Sequence, residues 1–96
     1  MYIVVSKWMP NPDRLEEWRK ATTGIPASFS EMPGVELFQR FTNEDGHVVA
    51  IMGYRDKATY DSLVSDPNGA VAKDMAERNL DEYGTWVSSE RGESFE

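Results

Sequence analysis

Two strand–helix–strand patterns follow one another within 96 residues. They predict an α+β chain in which two helices cover one face of a four-stranded antiparallel sheet, the ferredoxin-like βαββαβ arrangement. Three observations carry the prediction. Tyr2–Trp8 and His47–Tyr54 are apolar on both faces, as central strands should be. Asn43-Glu44-Asp45-Gly46 is a hairpin signal between the second and third strands. Right-handed crossovers then set strands one and three side by side in the middle. Residues 1–96 are expected to form a single domain.

In the first strand, Tyr2, Val4, Ser6 and Trp8 point one way and Ile3, Val5 and Lys7 the other. Pro10 and Pro12 end it, and Asn11 is a candidate cap for the first helix. Asp13, Glu16 and Glu17 sit at the positive end of that helix dipole. Leu15, Trp18, Thr22 and Ile25 fall at helical spacing as a core stripe. Gly24 and Pro26 interrupt the helix, and a further turn over 27–32 brings Phe29 inward. Pro33-Gly34 turns the chain into the second strand, Val35 to Thr42. After the third strand, Asp56 caps a helix over 57–65, Asp66–Gly69 breaks it, and residues 70–82 resume it. Gly84 is expected to close that helix. Thr85–Ser89 is a short last strand, and residues 90–96 a polar tail reaching toward a partner.

Parity carries the side chains from strand to strand. If Thr42 or Glu44 opposes His47, the helix-covered face holds Leu37, Gln39, Phe41, Val48, Ala50, Met52 and Tyr54. The other face then holds Phe38, Arg40, Thr42, His47, Val49 and Ile51, joined by Ile3 and Val5. An apolar patch of this kind exceeds what a monomer normally exposes. The expected partner is a second copy of the chain, docked through Ile3, Val5, Phe38, Arg40, His47, Val49 and Ile51.

Composition narrows the function classes. The net charge is −7 and no Lys/Arg cluster occurs, which argues against nucleic acid and against anionic membrane surfaces. No apolar run approaches the ~18 residues of a spanning helix, and the N-terminus does not read as a signal peptide. Without cysteine there is neither disulfide nor thiolate chemistry. A cytoplasmic setting is the expectation.

Tyr54-Arg55-Asp56-Lys57-Ala58-Thr59-Tyr60, the following Leu63-Val64 and Ser65-Asp66-Pro67, and the turn Met32-Pro33-Gly34-Val35 resemble the antibiotic biosynthesis monooxygenase-like proteins of the dimeric α/β-barrel superfamily. The resemblance implies a homodimer with a pocket inside each subunit, between helices and sheet. It also implies a small-molecule ligand and, for an enzyme, cofactor-free monooxygenation of an aromatic or quinol-like substrate. A non-catalytic ligand-binding sensor, or a structural dimer module, stands as the alternative on the same scaffold. The haem-degrading relatives carry an Asn at the end of strand one, a Trp at the end of strand three and a His on the second helix. Ser6, Tyr54 and Leu63 stand there in this chain, so no haem and no other cofactor is expected.

Within that frame the candidate pocket is lined by Ser6, Trp8, Gln39, Met52, Tyr54 and Tyr60. Tyr54 and Tyr60 are placed to hydrogen-bond a phenolic or quinone ligand, against plain core packing with the hydroxyls at the rim. Ser6 and Gln39 are polar where the helix layer should cover them, so each needs a partner. Trp8, Trp18 and Trp86 read first as core aromatics. His47, the single histidine, reads as an interface residue before a catalytic base, and one histidine does not suggest a metal site. No residue stands out as catalytic.

Overall fold

In the computed structural model, which describes residues 1–95, the elements run β1 (Tyr2–Pro10), α1 (Leu15–Thr22), α2 (Ile25–Ser30), β2 (Val35–Thr42), β3 (Val48–Tyr54), α3 (Lys57–Tyr60), α4 (Ala70–Arg78) and β4 (Gly84–Glu93). The sheet order is β2-β3-β1-β4, with every neighbouring pair antiparallel. β1 and β3 are therefore central, as their two-sided apolar sequences require. The helices lie on one face. The core between the layers gathers Tyr2, Val4, Ile25, Phe29, Tyr54, Tyr60 and Val71. No helix among the described residues is long and apolar enough to cross a membrane.

The hairpin corrects the expected parity. Asn43, rather than Thr42 or Glu44, opposes His47: the Asn43 N–H donates to the His47 carbonyl at 2.9 Å. The His47 N–H donates to Asn43 Oδ1, also at 2.9 Å. Three residues form the loop, and Gly46 takes the positive φ of 83° that a three-residue hairpin needs at its last position. The pairs Arg40↔Ala50 and Phe38↔Met52 follow. A one-residue difference in register turns every β2 side chain to the opposite face. Phe38 and Arg40, expected at an interface, thus take the helix side of the sheet, Arg40 exposed on the edge strand, while Leu37, Gln39 and Phe41 take the uncovered face. A bulge between Val35 and Leu37 returns Val35 to the covered side, where it packs on the core.

Other boundaries shift for local reasons. Asn11 makes no side-chain cap; Pro12–Arg14 forms a 3-10 turn, and the Asn11 N–H donates instead to Tyr83 O at 2.9 Å. Asp56 does cap α3, accepting from the Thr59 N–H at 2.7 Å. The next turn, Asp61–Ser65, is π-helical. α4 ends not at Gly84 but at Asn79, whose φ of 53° is left-handed. Gly84 opens β4, where a Cβ would stand 2.7 Å from the Trp18 ring and 3.1 Å from Met9 O. β4 itself runs to Glu93, paired opposite Tyr2, so residues 90–93 of the expected tail form a sheet edge. Glu96, the end of that tail, lies outside the described residues.

Candidate functional site

The covered face is not filled evenly. One transverse row of the sheet reads Arg40, Ala50, Ser6, Ser89. Its two central members are small, whereas the neighbouring rows carry Phe38, Met52 and Val4 on one side and Val48 and Trp8 on the other. Above the small pair the helix layer does not reach the floor, and a partly enclosed cavity of about 100 Å³ remains. Trp18 and Thr22 of α1, Ile25 and Phe29 of α2, Met75 of α4 and Leu80 form its roof. Two aromatic pairs bracket it: Trp8 with Trp18, ring centroids 5.8 Å apart, and Phe29 with Phe38, edge-on at 5.1 Å.

Three polar side chains meet this void. Ser6 Oγ donates to Ser89 Oγ across the β1–β4 pair at 3.5 Å, a long bond that leaves the hydroxyl weakly held. Thr22 Oγ1 donates to the Trp18 carbonyl at 2.9 Å, a bond internal to α1. Arg40 Nη1 donates to the Thr22 carbonyl at 3.0 Å. Arg40, Thr22, Trp18 and Val48 also line an outer groove of about 540 Å³, walled further by Leu15, Arg19 and Phe41. Arg40 thus stands where the inner cavity opens outward. No buried side-chain nitrogen or oxygen among the described residues lacks a partner, and none of these residues form a group of three His, Cys, Asp or Glu able to hold a metal.

Of the six residues expected in the pocket, Ser6, Trp8 and Met52 line the cavity. Gln39 does not: the hairpin register places it opposite Ile51 on the uncovered face, exposed, so its amide needs no buried partner. Tyr54 and Tyr60 lie behind the cavity wall. Tyr60 packs against Tyr2 at 5.1 Å and Tyr54 at 5.4 Å, and its hydroxyl accepts from Arg91 Nη1. Tyr54, 1% exposed, directs its hydroxyl at Met52 Sδ at 3.8 Å. Burial, and secondarily the Tyr60 phenol, push the Tyr54 pKa up to about 12, so it is a neutral phenol near neutrality. His47 is half-buried at the hairpin and touches neither void. Trp86 is 52% exposed, outside the core.

Sequence reasoning missed Arg40, Thr22, Ala50 and Phe38 as cavity residues. Thr22 and Trp18 were visible as a helical stripe, but a stripe does not say whether it meets a filled or an empty floor. Ala50 opposite Ser6 was the available signal for the void, and it needed only the β1–β3 pairing. Arg40 and Phe38 needed the hairpin register as well.

No family model matches the sequence, and no curated protein does either. The fold has clear counterparts among solved structures. Rv0793 from Mycobacterium tuberculosis superposes with a TM-score of 0.80 at 16% identity, over 99% of this chain and 95% of that one. A protein described as an antibiotic biosynthesis monooxygenase gives 0.78 at 12%, over the whole of both chains. SnoaB from Streptomyces nogalater, described as a cofactor-independent oxygenase, gives 0.75 at 14%, over 99% and 93%. At these identities the likeness is one of fold, and this chain has the ferredoxin-like α+β fold that those proteins share.

Proposed function

We propose that the chain is a small-molecule-binding protein of the antibiotic biosynthesis monooxygenase type, acting as a homodimer and oxidising an electron-rich aromatic or quinol-like substrate without a cofactor. The observation that carries this reading is the cavity over the Ser6–Ala50 pair, apolar and bracketed by aromatic rings, within the fold shared with SnoaB. In such chemistry a substrate carbanion combines with dioxygen, and the resulting hydroperoxide loses water to leave a carbonyl. One oxygen atom enters the product and the other leaves as water. The protein contributes binding and exclusion of bulk water from the reacting anion.

The uncovered sheet face supports the dimer. Ile3, Val5, Leu37 and Ile51 lie there half-buried and Phe41 is 51% exposed. An open groove over Ile3 and Val5, walled by residues 90–95, continues the patch. His47 lies at the end of the same face. We place this dimer in the cytoplasm, in keeping with a cysteine-free chain.

One observation favours a second reading, a non-catalytic ligand sensor. Among the residues lining the cavity there is no His, Lys, Tyr, Asp or Glu, hence no general base. A substrate must ionise by its own acidity or not react. Oxygen consumption with a panel of phenols and dihydroquinones decides between the two. Uptake that saturates with substrate and is lost in Ala50→Ile supports the oxygenase. Saturable binding without uptake assigns the sensor.

A further inference from the structure

The inner cavity and the outer groove share four residues, and Arg40 is the only one with a charge. The chain carries 17 acidic and 10 basic residues, yet no Asp or Glu lines either void, while Arg40 and Arg19 do. This local reversal of sign is the feature that selects a ligand. Arg19 is occupied by Glu16 at 3.2 Å. Arg40 makes one hydrogen bond, to the Thr22 carbonyl at 3.0 Å, and no salt bridge among the described residues. That bond uses one of five guanidinium N–H groups and fixes the head at the mouth. The remaining donors form a fork suited to an anionic oxygen.

Size sets the other half of the selection. A cavity of roughly 150 Å³ lined by apolar side chains takes up benzene; this one has about 100 Å³ and opens toward Arg40. Being smaller, it admits a single ring only with the ring's substituent in the mouth at Arg40, and a fused tricycle is too large to enter.

We infer that the ligand of this site is a single-ring organic anion, its ring between the Trp8–Trp18 and Phe29–Phe38 pairs and its carboxylate or phenolate oxygen on Arg40. The inference rests on the reading of the cavity as a binding site and adds to it the charge and the ring count.

The test is fluorine NMR titration of the intact protein with 4-fluorobenzoate, its neutral isostere 4-fluorobenzamide, the uncharged ring 4-fluorotoluene, and 4-fluorophenol below and above its ionisation. The acid is expected to bind at least about tenfold more tightly than the amide. Arg40→Met erases that preference, and Arg40→Lys keeps part of it. Phenol bound only when ionised assigns a phenolate as the natural head group; benzoate bound with no gain on phenol ionisation assigns a carboxylate. Equal affinity for acid and amide overturns the inference, as does an acid affinity untouched by Arg40→Met. Should Arg40→Met not fold, the acid-to-amide ratio in the unmodified protein and in Arg40→Lys decides alone. If 4-fluorotoluene binds, and is expelled by Ala50→Ile, while charge makes no difference, the cavity stands as a site and only the anion is wrong. If no probe binds at all, both readings fall.

Discussion

Replacing Ala50 by Ile tests the cavity directly. Ala50 sits between Arg40 and Ser6 on the sheet floor, and the void above it measures about 100 Å³. Ile adds three carbons, each worth about 0.8 kcal/mol on full burial, ~2.4 kcal/mol in all. Not all is recovered, because the added branch must fit beside Trp18 and Met75; a net gain of about 1–2 kcal/mol is expected. At this chain length that corresponds to a rise in Tm of roughly 4–15 °C. Urea unfolding at one fixed protein concentration measures it, since an assembling chain shifts its midpoint with concentration. The same variant should lose ligand binding. Destabilisation by more than about 1 kcal/mol, with binding intact, would refute the argument: the floor would then be filled and the site elsewhere.

Three further outcomes are expected. Tyr54 resists ionisation up to about pH 12, so between its ordinary value and that point the unfolded chain loses a proton the folded chain keeps. Stability therefore falls as pH rises through this window, by ~1.4 kcal/mol per unit at most, and Tyr54→Phe flattens that alkaline limb in pH-dependent urea melts; an unchanged limb counts against the burial argument. Asp56 is the converse case: the Thr59 hydroxyl, then the Thr59 N–H, hold its carboxyl below the usual range. Its contribution is present above the ordinary carboxylate pKa and disappears as pH falls through the depressed one, so Asp56→Ala should weaken the fold near neutrality and shrink the loss on acidification. Ile51→Asp puts a charge in the middle of the uncovered face and should reduce the mass found by light scattering from two chains to one with the circular dichroism retained; an unchanged mass places the interface elsewhere.

The fold was legible because its signals are local and redundant. Each central strand is apolar on both faces, Asp56 announces its helix, and Asn43–Gly46 announces the hairpin, so element order and strand order both follow. The site was less legible because it depends on a single integer. Asn43 uses its side-chain carbonyl to take the His47 N–H, which sets a three-residue loop where a two-residue or four-residue one was expected. Composition cannot register that difference, because Asn-Glu-Asp-Gly is compatible with each. The result exchanges Gln39 for Arg40 on the helix side of the sheet and Phe41 for Phe38 beside Phe29. Strand one, read by simple alternation, kept its faces: Ser6 and Trp8 reach the cavity as expected. Strand four failed differently. Glu90 and Glu93 look like solvated tail residues, yet they pair with β1 because the strand is an edge and its side chains need no burial.

The corrected register also changes which groups are available for chemistry. With Gln39 outside, Tyr54 turned to Met52 and Tyr60 held by Arg91, the hydroxyls expected to polarise a substrate are committed to the half of the core around Tyr2. That half is closed, and the three tyrosines, packed tilted and edge-on, make it so. The other half is propped open by two tryptophans over a Ser–Ala floor, with a guanidinium at its edge. An anion meeting that guanidinium would gain a charge-assisted hydrogen bond, which a phenol hydroxyl does not supply, although Arg40 is exposed and water screens part of its charge. The division of labour follows from side-chain volume along one strand: Tyr2 and Val4 fill, Ser6 does not, and Trp8 seals the far end.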